Sequence, residues 1–217
     1  YGVYVGRYKV FPYKIISLAK NTFAPENRKV TSRNLEQHIR IFEIFSPKSD
    51  IVFIGDSITN EGSWSEFIPT LRVANRGIKG DKTSDILLRI DSILSTDPSK
   101  AFLMVGINDI FHYVSLSKIL ENYERIVDYL IAANIAVIIQ STIQCEVSFC
   151  GTEHIKTVNS LNEGLSAIAK SKGIKFHSLG KLSDSNGLDS IYSRDGVHLT
   201  AAGYRLWVKE IRPLLDF

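Results

Sequence analysis

At 217 residues, 44% hydrophobic and 23% charged, the chain fits one large domain or two very small ones and can build a sizeable core. Its net charge of +3 is too small to imply a nucleic-acid partner, and no basic stripe with interleaved aromatics occurs. No apolar run reaches the length of a transmembrane helix.

Along residues 1–30, Arg7, Lys9, Lys14, Lys20, Arg28 and Lys29 face a single acid, Glu26, with apolar residues between them. The pattern suits an arm wrapped over the domain with its basic groups solvated, or a segment lying near a membrane. The sequence opens on Tyr1, so a signal peptide or membrane tether ahead of it is an expectation. From Ser32 to Phe45, Leu35, Ile39, Phe42 and Phe45 recur at helical spacing, and Pro47 helps to end the helix. Residues 1–48 are therefore expected as an arm and leading helix packed on a domain that spans 49–217.

Ile51-Val-Phe-Ile is a run of β-branched and aromatic residues, the signature of a short strand buried on both faces. It stops at Gly55-Asp56-Ser57, which leaves a hydroxyl at a strand's carboxyl end. A loop or short helix follows over Gly62–Pro69. Leu71–Asn75 reads as a second strand, and Gly77 and Gly80 mark a tight loop after it. Thr83–Leu94 reads as a helix broken by Asp97-Pro98. Ala101–Val105 is a third strand that ends in Gly106-Ile-Asn108-Asp109.

An amphipathic helix over Ser117–Ala133 precedes a fourth strand, Ile135–Ile139, and then a loop that holds Cys145 and Cys150. These cysteines are close enough for a small disulfide, and the same spacing also suits two inert buried thiols. A bridged loop so short gains only about 2 kcal/mol in the chain-entropy model, enough to stiffen a loop and not to hold a fold. Ile155–Ala169 is a further helix and Ile174–Phe176 a fifth strand. Ser183–Asp195 is a polar loop, and Thr200 is placed to cap a last helix through Tyr204, Trp207, Val208 and Ile211. Apolar strands alternating with helices, without a hairpin signal, predict an α/β domain with a parallel sheet covered on both faces.

All carboxyl ends of a parallel sheet lie along one edge, so the loops after the first three strands converge. Asp195-Gly-Val-His198 supplies the remaining chemistry, because positions i and i+3 on a turn share a face. Asp195 can hold one imidazole nitrogen of His198 and leave the other free to take a proton from Ser57. The Ser57 amide, the Gly80 amide and the Asn108 side-chain amide are the natural donors for a developing oxyanion. A histidine base must be neutral to act, so activity is expected to rise from acid toward neutral pH. His38, His112, His154 and His177 have no such company and read as structural. Asp56 and Asp109 suit loop hydrogen bonds, Glu61 suits the pocket, and Trp64 suits the pocket or the core.

Gly55-Asp56-Ser57, Gly80, Gly106-Ile107-Asn108-Asp109 and Asp195-Gly196-Val197-His198 resemble, in order and spacing, the four blocks of the SGNH (GDSL) hydrolase family. The resemblance runs from about Asp50 to the C-terminus and departs little, with Ile58 where leucine is usual. It implies a flavodoxin-like three-layer α/β/α sandwich with a five-stranded parallel sheet, and ester hydrolysis without metal or cofactor. Carried over by position, Ser57 is the nucleophile, Asp195 and His198 complete the triad, and Gly80 and Asn108 join Ser57 in the oxyanion hole.

The expected substrate is a small-molecule or carbohydrate ester, most plausibly an O-acetyl group. A lysophospholipase or thioesterase, an acyltransferase, and an inactive glycan-binding relative are the alternatives. The cysteine pair and the basic N-terminus point to a periplasmic or extracellular setting, with the cytoplasm as the alternative.

Overall fold

The computed structural model of the chain describes residues 33–216, so the expected N-terminal arm and its basic residues lie outside the described residues. Five strands form one parallel sheet: β1 (Ile51–Gly55), β2 (Val73–Gly77), β3 (Lys100–Met104), β4 (Ala136–Gln140) and β5 (Lys175–His177). Their order is β2-β1-β3-β4-β5. After β1 the chain steps to one side, to β2, and then crosses to the other side, to β3. Such a reversal opens a crevice at the carboxyl ends of β1 and β3, which is where ligands bind in open α/β sheets.

Every residue of β1 and of β3 is buried, which explains the apolar runs at 51–54 and 101–104. On one side of the sheet α7 (Leu116–Ala132) packs against α4 (Thr83–Leu88) and the long α8 (Val147–Lys172). Elsewhere Trp64 of α3 (Trp64–Phe67) stacks on Phe53 at 3.9 Å between centroids and meets Trp207 of α9 (Ala201–Ile211) edge-on at 4.9 Å. Trp64 is 1% exposed, so it belongs to the core and not to a pocket wall. Burying an aromatic of this size stabilises by roughly 3 kcal/mol. Among the described residues no helix is long and apolar enough to cross a membrane.

Several expectations are corrected. The leading helix α1 (Arg33–Ile44) buries Leu35, but Phe45 lies beyond its end and is 66% exposed. β2 runs to Gly77 and not to Asn75, because the buried Arg76 guanidinium finds the carbonyls of Ser92 and Phe45 and sits 4.3 Å over the Phe42 ring. A charge expected in a loop is thereby accommodated in a strand. The helix expected over Thr83–Leu94 is two, α4 and α5 (Ile90–Leu94), broken at Arg89. Arg89 is fully buried and bonds Asp81, the Arg76 carbonyl and the Gly55 carbonyl, and its backbone leaves helical geometry there.

The cysteine loop is part helix, since Cys150 lies in the first turn of α8, which Gly151 interrupts with a φ of 78°. The polar loop over 183–195 contains a small antiparallel pair, β6 (Ser183–Asp184) and β7 (Gly187–Leu188), where no hairpin was expected. Thr200 caps α9 as expected, its hydroxyl accepting from the Gly203 N–H at 3.3 Å.

Candidate active site

Ser57 opens α2 (Ser57–Asn60), a single helical turn that begins two residues after β1. Asp56 caps it, Oδ1 accepting from the Ile58 N–H at 2.9 Å. Side-chain hydrogen bonds hold the turn. Tyr204 donates to the Ile58 carbonyl at 2.7 Å, Trp64 Nε1 to the Thr59 carbonyl at 2.8 Å, and Asn60 Nδ2 to the Gly77 carbonyl at 2.9 Å. The turn that presents Ser57 is therefore bonded to β2, to the core and to the last helix.

The structure brings together the residues expected at the site. Ser57 Oγ lies 2.9 Å from His198 Nε2, and His198 Nδ1 lies 2.9 Å from Asp195 Oδ2 and 3.1 Å from Oδ1. Asp195 Oδ1 also accepts from the backbone N–H groups of His198 at 2.8 Å and Val197 at 3.2 Å. Partial burial works to raise the Asp195 carboxyl. The N–H and ring of His198 and the N–H of Val197 outweigh it and hold the pKa near 2. The carboxylate thus stays ionised opposite the imidazole and orients it by a charge-assisted bond. Gly196, at the centre of this turn, has a φ of 93°, a conformation that glycine adopts without strain.

The donor side is built on two loops. The N–H groups of Ser57 and Gly80 donate to no group among the described residues. Gly80 has a φ of 82°, and a Cβ there would meet nothing within 4 Å, so its backbone, not crowding by neighbours, calls for glycine. Asn108, in α6 (Ile107–Phe111), donates one Nδ2 hydrogen to the Asp81 carbonyl at 3.1 Å and keeps its second.

Three buried carboxyls anchor these loops. Asp109 accepts from the Thr83 hydroxyl at 2.6 Å and its N–H at 3.0 Å, and Asn122 supports Thr83 at 2.9 Å. Asp81 pairs with Arg89 at 2.7 Å with both side chains out of solvent; burial raises its pKa to about 6, against the pull of Arg89. Asp56 is fully buried, and burial pushes it up to about 7. Asp56 and Asp109 are thus loop ties, as their positions in the sequence suggest.

Sequence reasoning missed one network at the rim. Glu61 accepts from Lys79 at 2.9 Å and pairs with Arg194 at 3.1 Å, and Arg194 lies 3.4 Å from Asp195 Oδ2. Partners so far apart in the chain carry no local signal. The other histidines stand apart from the triad: His112 Nδ1 meets the Asn108 carbonyl at 2.7 Å, His154 lies among aromatics, His177 is half-buried on β5, and His38 faces Phe42. Cys145 and Cys150 form a disulfide. Among the described residues no group of three or more His, Cys, Asp and Glu is arranged to hold a metal ion.

The sheet order and the loops at its crevice define an SGNH-type hydrolase. The chain belongs to the GDSL-like lipase/acylhydrolase family, whose sequence profile matches residues 53–206. It is a carboxylic ester hydrolase. No curated protein matches it by sequence. Among solved structures it is similar to a candidate platelet activating factor from Streptococcus pneumonia, at 24% identity and a TM-score of 0.76, covering 94% of this chain and 99% of that one. A candidate acylhydrolase from Bacteroides fragilis is 26% identical, with a TM-score of 0.73 and coverage of 84% and 95%. An acetylxylan esterase from Geobacillus stearothermophilus is 20% identical, with a TM-score of 0.65 and coverage of 80% and 96%.

Proposed function

We propose that the protein is a serine esterase that removes a short acyl group, acetyl, from a hydroxyl of a carbohydrate. The observation that carries this reading is the unbroken hydrogen-bonded chain from Ser57 through His198 to Asp195. Ser57 Oγ attacks the ester carbonyl carbon as its proton passes to His198 Nε2. The carbonyl electron pair moves to oxygen, where the Ser57 and Gly80 N–H groups and the Asn108 amide receive it. The carbon–oxygen bond to the alcohol breaks, His198 returns the proton to that oxygen, and acetyl-Ser57 remains. Water gives a proton to His198 and attacks the acyl carbon; acetate leaves, and Ser57 recovers its proton.

Beside Asp195 the surface is polar and charged: Glu146, Ser148 and Arg194 line an open hollow with Phe149, a setting that suits a hydroxyl-bearing alcohol better than a long alkyl chain. Acetylxylan esterases among the structural neighbours agree with this direction. The disulfide favours an oxidising setting, periplasmic or extracellular.

The test is a series of esters from acetate to palmitate, together with acetylated oligosaccharides, on wild type and Ser57→Ala. Turnover highest on acetate and abolished by Ser57→Ala is expected. Preference for palmitate would overturn the acetyl reading, and near-normal turnover by Ser57→Ala would overturn the mechanism.

A further inference from the structure

Cys145 and Cys150 close a short loop that carries Glu146, Ser148 and Phe149, and the loop lies against the acid–base turn. The Glu146 N–H donates to the Gly196 carbonyl at 2.8 Å, and a Cβ added at Gly196 would stand 2.6 Å from the Cβ of Phe149. Phe149 is 59% exposed although the core is close by. Its ring centroid is 6.2 Å from that of Phe111, the last residue of the helix that carries Asn108. Phe111 meets His154 at 5.5 Å, and His154 meets Tyr113 at 6.2 Å. An aromatic strip therefore runs from the oxyanion helix to the turn that bears Asp195 and His198.

Tyr113 ends this strip and is 86% exposed. Its φ of 56° is a conformation that glycine adopts freely and a tyrosine adopts at a cost of order 1 kcal/mol or more. The chain thus holds a large ring in solvent at a strained position. Core packing explains neither Tyr113 nor Phe149.

We propose that this disulfide-held strip is the leaving-group subsite and binds the sugar ring of the alcohol half of the substrate. The inference rests on the acetyl-carbohydrate reading above. A pyranose presents an apolar C–H face inside a rim of hydroxyls, so it needs aromatic faces bordered by hydrogen-bonding groups. Phe149 and Tyr113 provide the faces; Glu146, Ser148 and Arg194, lining the cavity beside Phe149, provide the rim. The hollow is open to solvent, as a ring that stacks on an exposed aromatic face requires. Phe149 packs against Gly196, two residues from His198, so a ring stacked on it lies next to the turn that carries the proposed base.

The experiment compares kcat/KM on a monoacetylated oligosaccharide with kcat/KM on ethyl acetate, which has almost no alcohol half, both followed by pH-stat. Wild type, Phe149→Ala, Tyr113→Ala and the double variant Cys145→Ser/Cys150→Ser are measured. Each variant is expected to lose about five- to tenfold more on the saccharide than on ethyl acetate, chiefly through KM, as one lost aromatic stack predicts. Equal losses on both substrates, or no loss on the saccharide, would overturn the subsite while leaving the acetyl-carbohydrate reading intact. A selective loss on p-nitrophenyl palmitate would assign the strip to an acyl chain and overturn it too. A wild type that cleaves ethyl acetate but no acetylated saccharide would overturn the carbohydrate reading itself, and the subsite with it.

Discussion

Removing the side chain of Asn108 separates a catalytic contribution from a structural one. In the resting protein, Asn108 makes one side-chain hydrogen bond, from Nδ2 to the Asp81 carbonyl at 3.1 Å, and is half-buried. Asn108→Ala deletes that bond, which is worth about 1 kcal/mol of stability. In a domain of roughly 200 residues that lowers Tm by about 2–4 °C. In the proposed mechanism the second Nδ2 hydrogen is offered to the oxyanion, and losing such a donor removes about 2.7–4 kcal/mol of transition-state stabilisation. The expected outcome is thus a kcat reduced about 100- to 1000-fold, with KM little changed, in a protein that melts only slightly earlier. Steady-state kinetics on ethyl acetate, paired with a thermal melt, measure both. A kcat within tenfold of wild type, at the expected small drop in Tm, would refute the donor role and leave Asn108 as a tie to the Gly80 loop. Asn108→Asp sharpens the contrast, since a carboxylate cannot donate and would repel the oxyanion, so its kcat should fall below that of Asn108→Ala.

Asp56→Asn keeps the cap to Ile58 but removes a group whose pKa is about 7 in the folded protein against 3.8 when exposed. The folded state therefore holds this proton longer, and stability falls as pH rises from about 4 to 7. Urea unfolding at pH 5 and pH 8 should show wild type losing more stability across that interval than Asp56→Asn. An equal loss would mean that Asp56 is ionised throughout. Asp195 acts in the opposite sense at the acid end: its pKa near 2 contributes stability above about pH 4 that is lost as pH falls through 2. Glu61→Gln weakens the ties to Lys79 and Arg194 and should lower kcat/KM about three- to tenfold, with 1 M salt shrinking the difference from wild type. A variant equal to wild type at low salt would show those ion pairs to be idle.

The residues legible in the sequence are those whose chemistry demands a particular type at a particular break. Ser57, Gly80, Asn108, Asp195 and His198 all stand where a strand or a turn ends, and the structure brings Ser57, His198 and Asp195 into one chain of hydrogen bonds. The strands were readable chiefly through residues 51–54, 101–104 and 137–139, whose apolar runs are buried inside the sheet. What the sequence concealed depends on partners remote in the chain. Arg76 looked like a loop charge until the carbonyls of Ser92 and Phe45 and the ring of Phe42 received it. Arg89 splits a helix for a reason that lies in Asp81 and in two strand carbonyls. Trp64, a few residues after Ser57 in sequence, is drawn inward by Phe53 and by the Thr59 carbonyl. Periodicity reports which face is apolar; it does not report which polar atom waits beneath.

The buried carboxyls raise an electrostatic question that the triad alone does not. Asp56, Asp81 and Asp109 lie in the three loops that supply Ser57, Gly80 and Asn108, and each raises the local negative potential where an oxyanion must form. The fold answers in three ways. Arg89 neutralises Asp81 from within the core, Thr83 spreads the charge of Asp109 over two donors, and burial keeps Asp56 largely protonated below pH 7. The loops thereby keep strong acceptors for their internal ties without presenting three full negative charges to the substrate. The same arrangement ties loop order to protonation: as pH rises past 7, Asp56 becomes a buried anion whose Oδ2 has no partner among the described residues. An upper limit on working pH would then come from the floor of the site, where the buried Asp56 carboxylate lies under the Ser57 turn.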